Sequence, residues 1–271
     1  MWPDKALRLV FVAAISHPQR STGNLATGSI VRESPSRPAI NSWFAWVATA
    51  TMLCLAIYAS PGGAQTGVQD LAHIETLAIQ RYGDEAGDRV RRWRQLLLSA
   101  EPLDERRQIR MVNEFFNRNV VYQSDQELWG KSDYWATPLE TLGTAGGDCE
   151  DYSIAKYASL RMLGVPDSRL RLFYVHARLG ATVSNATEVH MVLGYYPTEE
   201  AEPLILDNLI TDIRPASRRS DLSPVFSFNS EGLWPEGVSA SAGSSTASLS
   251  NWRGVLERMQ ADGINLSRPT P

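Results

Sequence analysis

The spacing of apolar residues changes midway along this chain, and that change constrains the fold more than any other feature. Before residue 163, apolar residues recur at every third or fourth position, the period of helices packed on one face. After residue 169, short apolar runs follow one another and are bracketed by prolines, which is typical of strands. Helices followed by consecutive strands indicate an α+β fold with an antiparallel sheet.

The individual elements follow from this pattern. The sequence predicts three helices between Val68 and Asn119, a loop over residues 123–148, and a fourth helix that begins at Cys149 and ends before Gly164. It then predicts three strands, at residues 170–177, 189–196 and 204–207. The apolar residues that mark the first three helices are Leu71, Ile74, Leu77, Ala78, Val90, Trp93, Leu96, Leu97, Ile109, Val112, Phe115 and Phe116.

The length and composition divide the chain into four parts. Residues 65–236 are long enough for one catalytic domain. Residues 237–250 are rich in serine, glycine and alanine, which predicts a flexible segment. Residues 251–271 carry an amphipathic pattern at Trp252, Val255 and Met259, so we expect a C-terminal helix that docks back on the domain.

Residues 1–64 contain an export signal. The run from Trp43 to Tyr58 is uncharged and apolar, and it is shorter than the ~20 residues that a membrane-spanning helix needs. Small residues at Gly62 and Ala64 fit cleavage before Gln65. We therefore expect an exported, periplasmic protein, with an uncleaved membrane anchor as the alternative.

Charge and cysteine content narrow the class of protein further. A net charge of −4 and a pI near 5.6 argue against nucleic-acid binding, which needs a basic stripe that this sequence does not show. The chain has two cysteines, Cys54 and Cys149, and cleavage of the signal removes the first. A single thiol in an oxidising compartment is more consistent with a chemically reactive side chain than with a structural disulfide.

Cys149 stands where a thiol becomes nucleophilic. It follows Gly146-Gly147-Asp148 and begins a helical pattern, so its sulfur lies at a helix N-terminus. The helix dipole and the unpaired N–H groups of the first turn favour the thiolate there. A cysteine at such a position can also be a small buried apolar residue.

Two further residues complete a possible triad. His190 lies inside a predicted strand among aliphatic residues, and Asp207 ends the next one. Adjacent antiparallel strands can bring the two side by side, so that the carboxylate orients the imidazole and the imidazole serves as base for the thiol. The alternatives are a hydrogen-bonded core histidine and a turn-forming Asp-Asn pair. His176 is the rival base, but it has no matching acid.

Carboxylates crowd the thiol in Asp148-Cys149-Glu150-Asp151. Negative charges raise the pKa of a thiol and so oppose catalysis unless a cation offsets them. Hard oxygen ligands favour Ca²⁺ over zinc. The same acids could instead cap the helix, and the spacing alone leaves both interpretations open.

The segments that carry these residues resemble a known family. Trp135 to Tyr157 (WATPLETLGTAGGDCEDYSIAKY), together with EVHMVLGY and LILDN, is similar to the bacterial transglutaminase-like cysteine proteinases, and most similar to the LapG-type periplasmic proteases. The resemblance covers roughly Leu71 to Leu209. It implies a transglutaminase/papain-like fold with Cys149 as nucleophile, His190 as general base and Asp207 as orienting residue.

The resemblance also implies a cofactor, a substrate and a partner. It implies a calcium ion beside the active site, held by Asp148, Glu150 and Asp151, with Asp125 as a weaker candidate ligand. It implies cleavage of a large surface adhesin at a di-alanine site near its N-terminus, which releases biofilm. It further implies inhibition by an inner-membrane, cyclic di-GMP-responsive receptor of the LapD type. The rival functions are a transglutaminase or amidase with the same triad, and a non-catalytic calcium-binding interaction module.

Overall fold

A computed structural model describes residues 71–178 and 187–266. The predicted export signal, its cleavage site and residues 267–271 of the predicted tail lie outside the described residues. Within the described ranges, no helix combines the length and the apolar character that crossing a membrane requires.

The N-terminal part is helical, as predicted. The three helices are α1 (Ala72–Tyr82), α2 (Asp84–Ala100) and α3 (Glu105–Asn119). Gly83 separates the first two with a φ of 87°, in the region that favours glycine. Asp104 caps α3 by accepting a hydrogen bond from the Arg107 N–H at 3.0 Å.

The predicted fourth helix lies at the centre of the domain. It is α6 (Cys149–Met162), and every residue in it except Arg161 is buried. A helix that is buried on all sides must be covered by other elements all round. Trp93 of α2 donates to the Ser159 hydroxyl at 2.8 Å, which fastens the N-terminal helices to one side of α6. The other side packs against the sheet.

Eight short strands form two sheets among the described residues. The larger sheet has six antiparallel strands in the order β6-β5-β4-β3-β7-β8, and the smaller is the parallel pair β1-β2. Three strands of the larger sheet correspond to the predicted ones. The bounds are β1 Val121–Tyr122, β2 Gly146–Gly147, β3 Leu170–Arg178, β4 Thr187–Tyr195, β5 Leu204–Leu206, β6 Arg214–Pro215, β7 Leu222–Phe228 and β8 Leu233–Pro235.

The loop predicted over residues 123–148 is wrong in part. The segment contains α4 (Asp125–Trp129) and α5 (Pro138–Thr144), and each begins with a capping box. Glu127 accepts from the Ser124 N–H at 3.0 Å, and Glu140 accepts from the Thr137 N–H at 2.7 Å. These caps stabilise helices that are too short to have an apolar period.

The C-terminal part also differs from the prediction in one place. Residues 245–248 of the segment predicted to be flexible form a short helix, α7 (Ser245–Ser248), which Ser244 caps by accepting from the Ala247 N–H. The buried Ser245 hydroxyl donates to the Asn229 carbonyl and ties this helix to the sheet. The predicted C-terminal helix is present as α8 (Ser250–Ala261). Trp252 of α8 is fully buried against the rings of Tyr157 and Phe228, with ring centroids 5.4 Å apart in both pairs.

Candidate active site

The thiol of Cys149 lies at the first turn of α6, as predicted. Asp148 is the N-cap residue of the helix, and Cys149 is 8% exposed and forms no disulfide. The thiol donates to the Glu150 carboxylate at 2.7 Å, and the Met191 N–H of β4 donates to the sulfur. The nucleophile predicted from the sequence is therefore placed between the helix terminus and the sheet.

The two other predicted triad residues are hydrogen-bonded to each other. His190 Nε2 lies 2.9 Å from Asp207 Oδ1, and both side chains are buried. The register of β4 and β5 explains the pairing. Leu193 pairs with Leu206, so the next step along the two strands places Asp207 opposite Val192, two residues from His190 on the same strand face.

Met191 connects this pair to the thiol. Its N–H donates to the Cys149 sulfur, and its carbonyl accepts from Ser153, one turn further along α6, at 3.0 Å. Met191 directly follows His190, so the backbone of His190 lies next to the Cys149 thiol, while its side chain is hydrogen-bonded to Asp207. The rival base, His176, is exposed on β3, with Val189 as its β4 partner.

Asp207 is held by more groups than the sequence indicated. Arg219 donates to its Oδ2 at 2.7 Å, and the Leu209 N–H donates to its Oδ1 at 3.0 Å. Its backbone carbonyl accepts from the buried amine of Lys156 at 3.1 Å. Burial raises the pKa of Asp207, but the hydrogen bonds from His190, the Leu209 N–H and Arg219 outweigh burial, so that the pKa is lowered.

The carboxylates before and after Cys149 gather into one cluster. Oxygen atoms of Asp125, Asp148 and Asp151 lie within 4.8 Å of one another, and so do those of Asp125, Asp133 and Glu150. All of these residues are buried except Asp133, which is half-buried. The four residues predicted as calcium ligands are thus adjacent, and Asp133 is a fifth acidic residue of the cluster, which the sequence analysis did not include.

Helix capping, the alternative to metal binding, is present at the start of α6. Asp151 accepts hydrogen bonds from the Ala136 N–H at 2.7 Å and from the Asp148 N–H at 3.2 Å. Asp125 accepts from the Tyr134 N–H at 2.7 Å. These bonds fix the orientation of two carboxylates and leave the cluster a set of hard oxygen donors, which suits Ca²⁺.

The electrostatics of the cluster oppose thiolate formation in the absence of a cation. Burial raises the pKa of Asp148, and the charges of Glu150 and Asp151 raise it further. Burial likewise raises the pKa of the Cys149 thiol, and Glu150 and Asp148 add to the effect, while the Met191 N–H lowers it. A divalent cation among these carboxylates would reverse their effect on the sulfur.

Comparison with known families assigns the chain to one of them. The profile of the bacterial transglutaminase-like cysteine proteinases (BTLCP) matches residues 80–221, just over half of the chain. The chain belongs to this family. It is therefore a cysteine protease with a transglutaminase-like α+β fold, and the predicted fold class is confirmed.

Solved structures agree with the family assignment. EGTA-treated LapG of Legionella pneumophila is 39% identical, with a TM-score of 0.61 over 70% of this chain and 97% of that one. Calcium-bound LapG of the same organism is 40% identical, with a TM-score of 0.59 over 70% of this chain and 98% of that one. A search of curated proteins finds no match.

The family profile and the site do not have the same extent. Arg219 lies within residues 80–221, close to their end, whereas α8 lies wholly outside them. Asn251 of α8 donates to Asp133 at 3.0 Å, and the Arg258 guanidinium lies over the Tyr134 ring at 4.6 Å. The C-terminal helix of this cysteine proteinase therefore contacts the loop that carries part of the carboxylate cluster.

Proposed function

We propose that the protein is a calcium-dependent, periplasmic cysteine endopeptidase that cleaves a large surface adhesin at a di-alanine site and so controls biofilm release. The proposal is supported by a thiol at a helix N-terminus that is bonded to the backbone of the residue after His190, and by the buried His190–Asp207 pair, in a chain of the transglutaminase-like cysteine proteinase family.

The geometry supports a specific path for the proton. An ionised carboxylate only accepts hydrogen bonds, so the Nε2 atom that faces Asp207 is the protonated nitrogen of His190. Nδ1 is then the nitrogen that takes the proton from the Cys149 thiol. The thiolate attacks the scissile carbonyl, and the proton passes from His190 to the leaving amine as the thioester forms. Water then hydrolyses the thioester and restores the thiol.

Calcium has an electrostatic role in this proposal. Asp125, Asp148, Glu150 and Asp151 would hold the ion, with Asp133 as an additional ligand. When bound, the ion would supply the positive charge that lets the acids beside Cys149 coexist with a thiolate. The existence of a calcium-bound and an EGTA-treated form of Legionella LapG supports this assignment.

The substrate and the partner rest on the similarity to LapG rather than on contacts within this chain. The adhesin substrate, export through the segment around residues 43–64, and inhibition by a cyclic di-GMP-responsive receptor of the LapD type belong to the same proposal. The family membership and the 39% identity to LapG are the support for extending them to this chain.

Cleavage of an adhesin fragment tests the proposal. The purified protein is incubated with an N-terminal adhesin fragment that contains the di-alanine site, in calcium and in excess EGTA, and the products are identified by mass spectrometry. Cys149→Ser removes the proposed nucleophile. His176→Ala is the matched control, because His176 is an exposed histidine on the neighbouring strand.

We expect the wild type and His176→Ala to cleave the fragment in calcium. Neither protein should cleave it in EGTA, and Cys149→Ser should not cleave it under either condition. Cleavage by Cys149→Ser would contradict the thiol mechanism, and equal cleavage in EGTA would contradict the role of calcium. A parallel reaction with an added primary amine separates hydrolysis from acyl transfer, since both proceed through the thioester.

A further inference from the structure

We propose that Arg219 is a positioning residue, which holds the Asp207 carboxylate in the one orientation that presents Oδ1 to His190. This inference rests on the proposed triad. Arg219 lies between β6 and β7, beyond every element that the sequence marked as functional, and its side chain is only 2% exposed. A guanidinium in that position has lost its hydration and must be compensated by the groups around it.

Asp221 fixes the orientation of the Arg219 guanidinium. Its Nε donates to Asp221 Oδ1 at 3.0 Å, and its Nη2 donates to Asp221 Oδ2 at 2.8 Å. A planar guanidinium held along one edge by a carboxylate has little freedom to rotate. The same Nη2 also donates to Asp207 Oδ2 at 2.7 Å. Asp221 therefore anchors Arg219, and Arg219 in turn holds Asp207.

The two oxygens of Asp207 have separate partners as a result. Oδ1 accepts from His190 Nε2 at 2.9 Å and from the Leu209 N–H at 3.0 Å, whereas Oδ2 accepts from Arg219. Rotation of the carboxylate by a quarter turn would break all three bonds. Without Arg219, the carboxylate would keep its partners on one oxygen only, and the direction of the bond to His190 would be less strictly defined.

The ionisable groups that face Asp207 come from separate elements, and Asp221, which anchors Arg219, adds a negative charge nearby. His190 faces it from β4, Arg219 from the segment before β7, and Lys156 from α6, where the amine lies 3.1 Å from the Asp207 carbonyl. From α3, Asn117 contributes a neutral amide at 2.8 Å from the same carbonyl. Arg219 is the partner with a permanent charge that lies directly against the carboxylate.

Kinetics of Arg219→Gln test the proposal. We expect kcat for the adhesin fragment to fall about 10- to 100-fold, the range for a lost charge-assisted hydrogen bond, with KM nearly unchanged. The acid limb of the kcat profile should also move to higher pH, because the neutral glutamine no longer helps to keep Asp207 ionised. Arg219→Lys should restore the acid limb, since it keeps the charge, but only part of kcat, since it lacks the planar fork.

The matched control is Arg214→Gln. Arg214 pairs with Asp212 at the surface and is 46% exposed, so its loss should change neither kcat nor the acid limb. Asp221→Asn, which loosens the anchor without touching Asp207, should reduce kcat only a few-fold. Urea unfolding of each variant gives the folded fraction under assay conditions.

A second readout needs no substrate. In the Cys149→Ala background, the His190 Nε2 proton should give a downfield NMR resonance from its bond to Asp207, and Arg219→Gln should shift or abolish it. An unchanged resonance, or an unchanged kcat and acid limb in folded Arg219→Gln protein, would overturn the proposal. Failure of the wild type to cleave the fragment would instead contradict the proposed function, and the resonance would still decide the role of Arg219.

Discussion

The two ends of this site treat buried carboxylates in opposite ways. Ahead of the thiol, burial and mutual repulsion raise the pKa of Asp148. At the end of β5, Asp207 is equally buried, yet its hydrogen bonds to His190 and Arg219 keep its pKa low. The chain thus supplies a permanent cation where a carboxylate must always be charged. In our proposal, it relies on calcium where the charge is conditional.

The two ends have different roles in our proposal: the Asp207 end orients His190, and the carboxylate cluster controls the activation of the Cys149 thiol. The Asp207 end needs nothing beyond the folded chain, because Arg219, the Leu209 N–H and His190 satisfy its oxygens. The carboxylates beside Cys149 raise the pKa of its thiol, and in our proposal a divalent ion balances their charge. Four changes, in order of decreasing effect, break or sharpen this comparison.

The largest effect is expected for Asp207→Asn. An amide can present its NH₂ group to His190 and so stabilise the wrong tautomer, as in serine proteases, where the corresponding change costs about 10⁴-fold in kcat. Calcium affinity, measured by isothermal titration calorimetry, should not change, because Asp207 lies outside the carboxylate cluster. A parallel loss of calcium affinity would show that the two ends are not independent.

For Asp148→Asn we expect the opposite of Asp207→Asn, namely a loss of calcium affinity. Asparagine caps a helix as well as aspartate does, so the substitution removes the charge and keeps the cap. Calcium affinity should fall by at least about 10- to 100-fold, the loss that is typical when only a partner of a metal ligand is removed. In EGTA, by contrast, the variant should be more stable than the wild type.

The stability difference between the wild type and Asp148→Asn in EGTA should depend on pH, and the raised pKa of Asp148 fixes its sign. Because the folded-state pKa of Asp148 is raised, its contribution to stability is present below the unfolded value of about 3.9 and is lost as pH rises. Urea unfolding in EGTA between pH 5 and pH 8 should therefore show the wild type losing stability relative to Asp148→Asn. A constant difference would contradict the raised pKa.

The reactivity of the thiol should respond to calcium by about tenfold. Burial, Glu150 and Asp148 all raise the pKa of Cys149, and a bound cation offsets the two charges but not the burial. Alkylation by iodoacetamide at neutral pH should thus be about tenfold faster in calcium than in EGTA, the factor for one pKa unit. Asp207→Asn serves as the control and should keep the same calcium response.

The smallest effect concerns Lys156. Burial lowers the pKa of this amine to about 7, although the charge of Asp207 works in the other direction. Between that value and the unfolded pKa near 10.4, the unfolded chain binds more protons, so stability rises with pH. The wild type should gain about 1 kcal/mol between pH 7 and pH 8 relative to Lys156→Met. Equal slopes in urea unfolding would mean that the amine is not desolvated.

The sequence predicted the parts of the fold that have a clear period. The apolar stripes placed α1, α2, α3 and α6, and the strand pattern brought His190 and Asp207 to neighbouring strands. The sequence analysis did not predict α4 and α5, because helices of five and seven residues are defined by their capping boxes rather than by a period of apolar residues. The motifs Ser124-x-x-Glu127 and Thr137-x-x-Glu140 were the signals available for them.

The contacts that complete the site could not be predicted in the same way. Asp133 joins the carboxylate cluster, and Arg219 reaches Asp207, only through the path of the chain between elements. An arginine two residues before an aspartate, as in Arg219-x-Asp221, is common on protein surfaces and gives no sign of burial. The tertiary fold, rather than any local pattern, determines that Arg219 faces Asp207.

Trapping of the acyl-enzyme tests the central claim most directly, namely that Cys149 acts as the nucleophile once calcium balances the acids beside it. The purified protein is mixed with the p-nitrophenyl ester of a peptide ending in di-alanine, quenched in acid and measured by intact-protein mass spectrometry. We predict one peptidyl adduct, mapped to Cys149, that forms in calcium and is absent in EGTA. An adduct that forms equally in EGTA, or on a residue other than Cys149, would contradict the account.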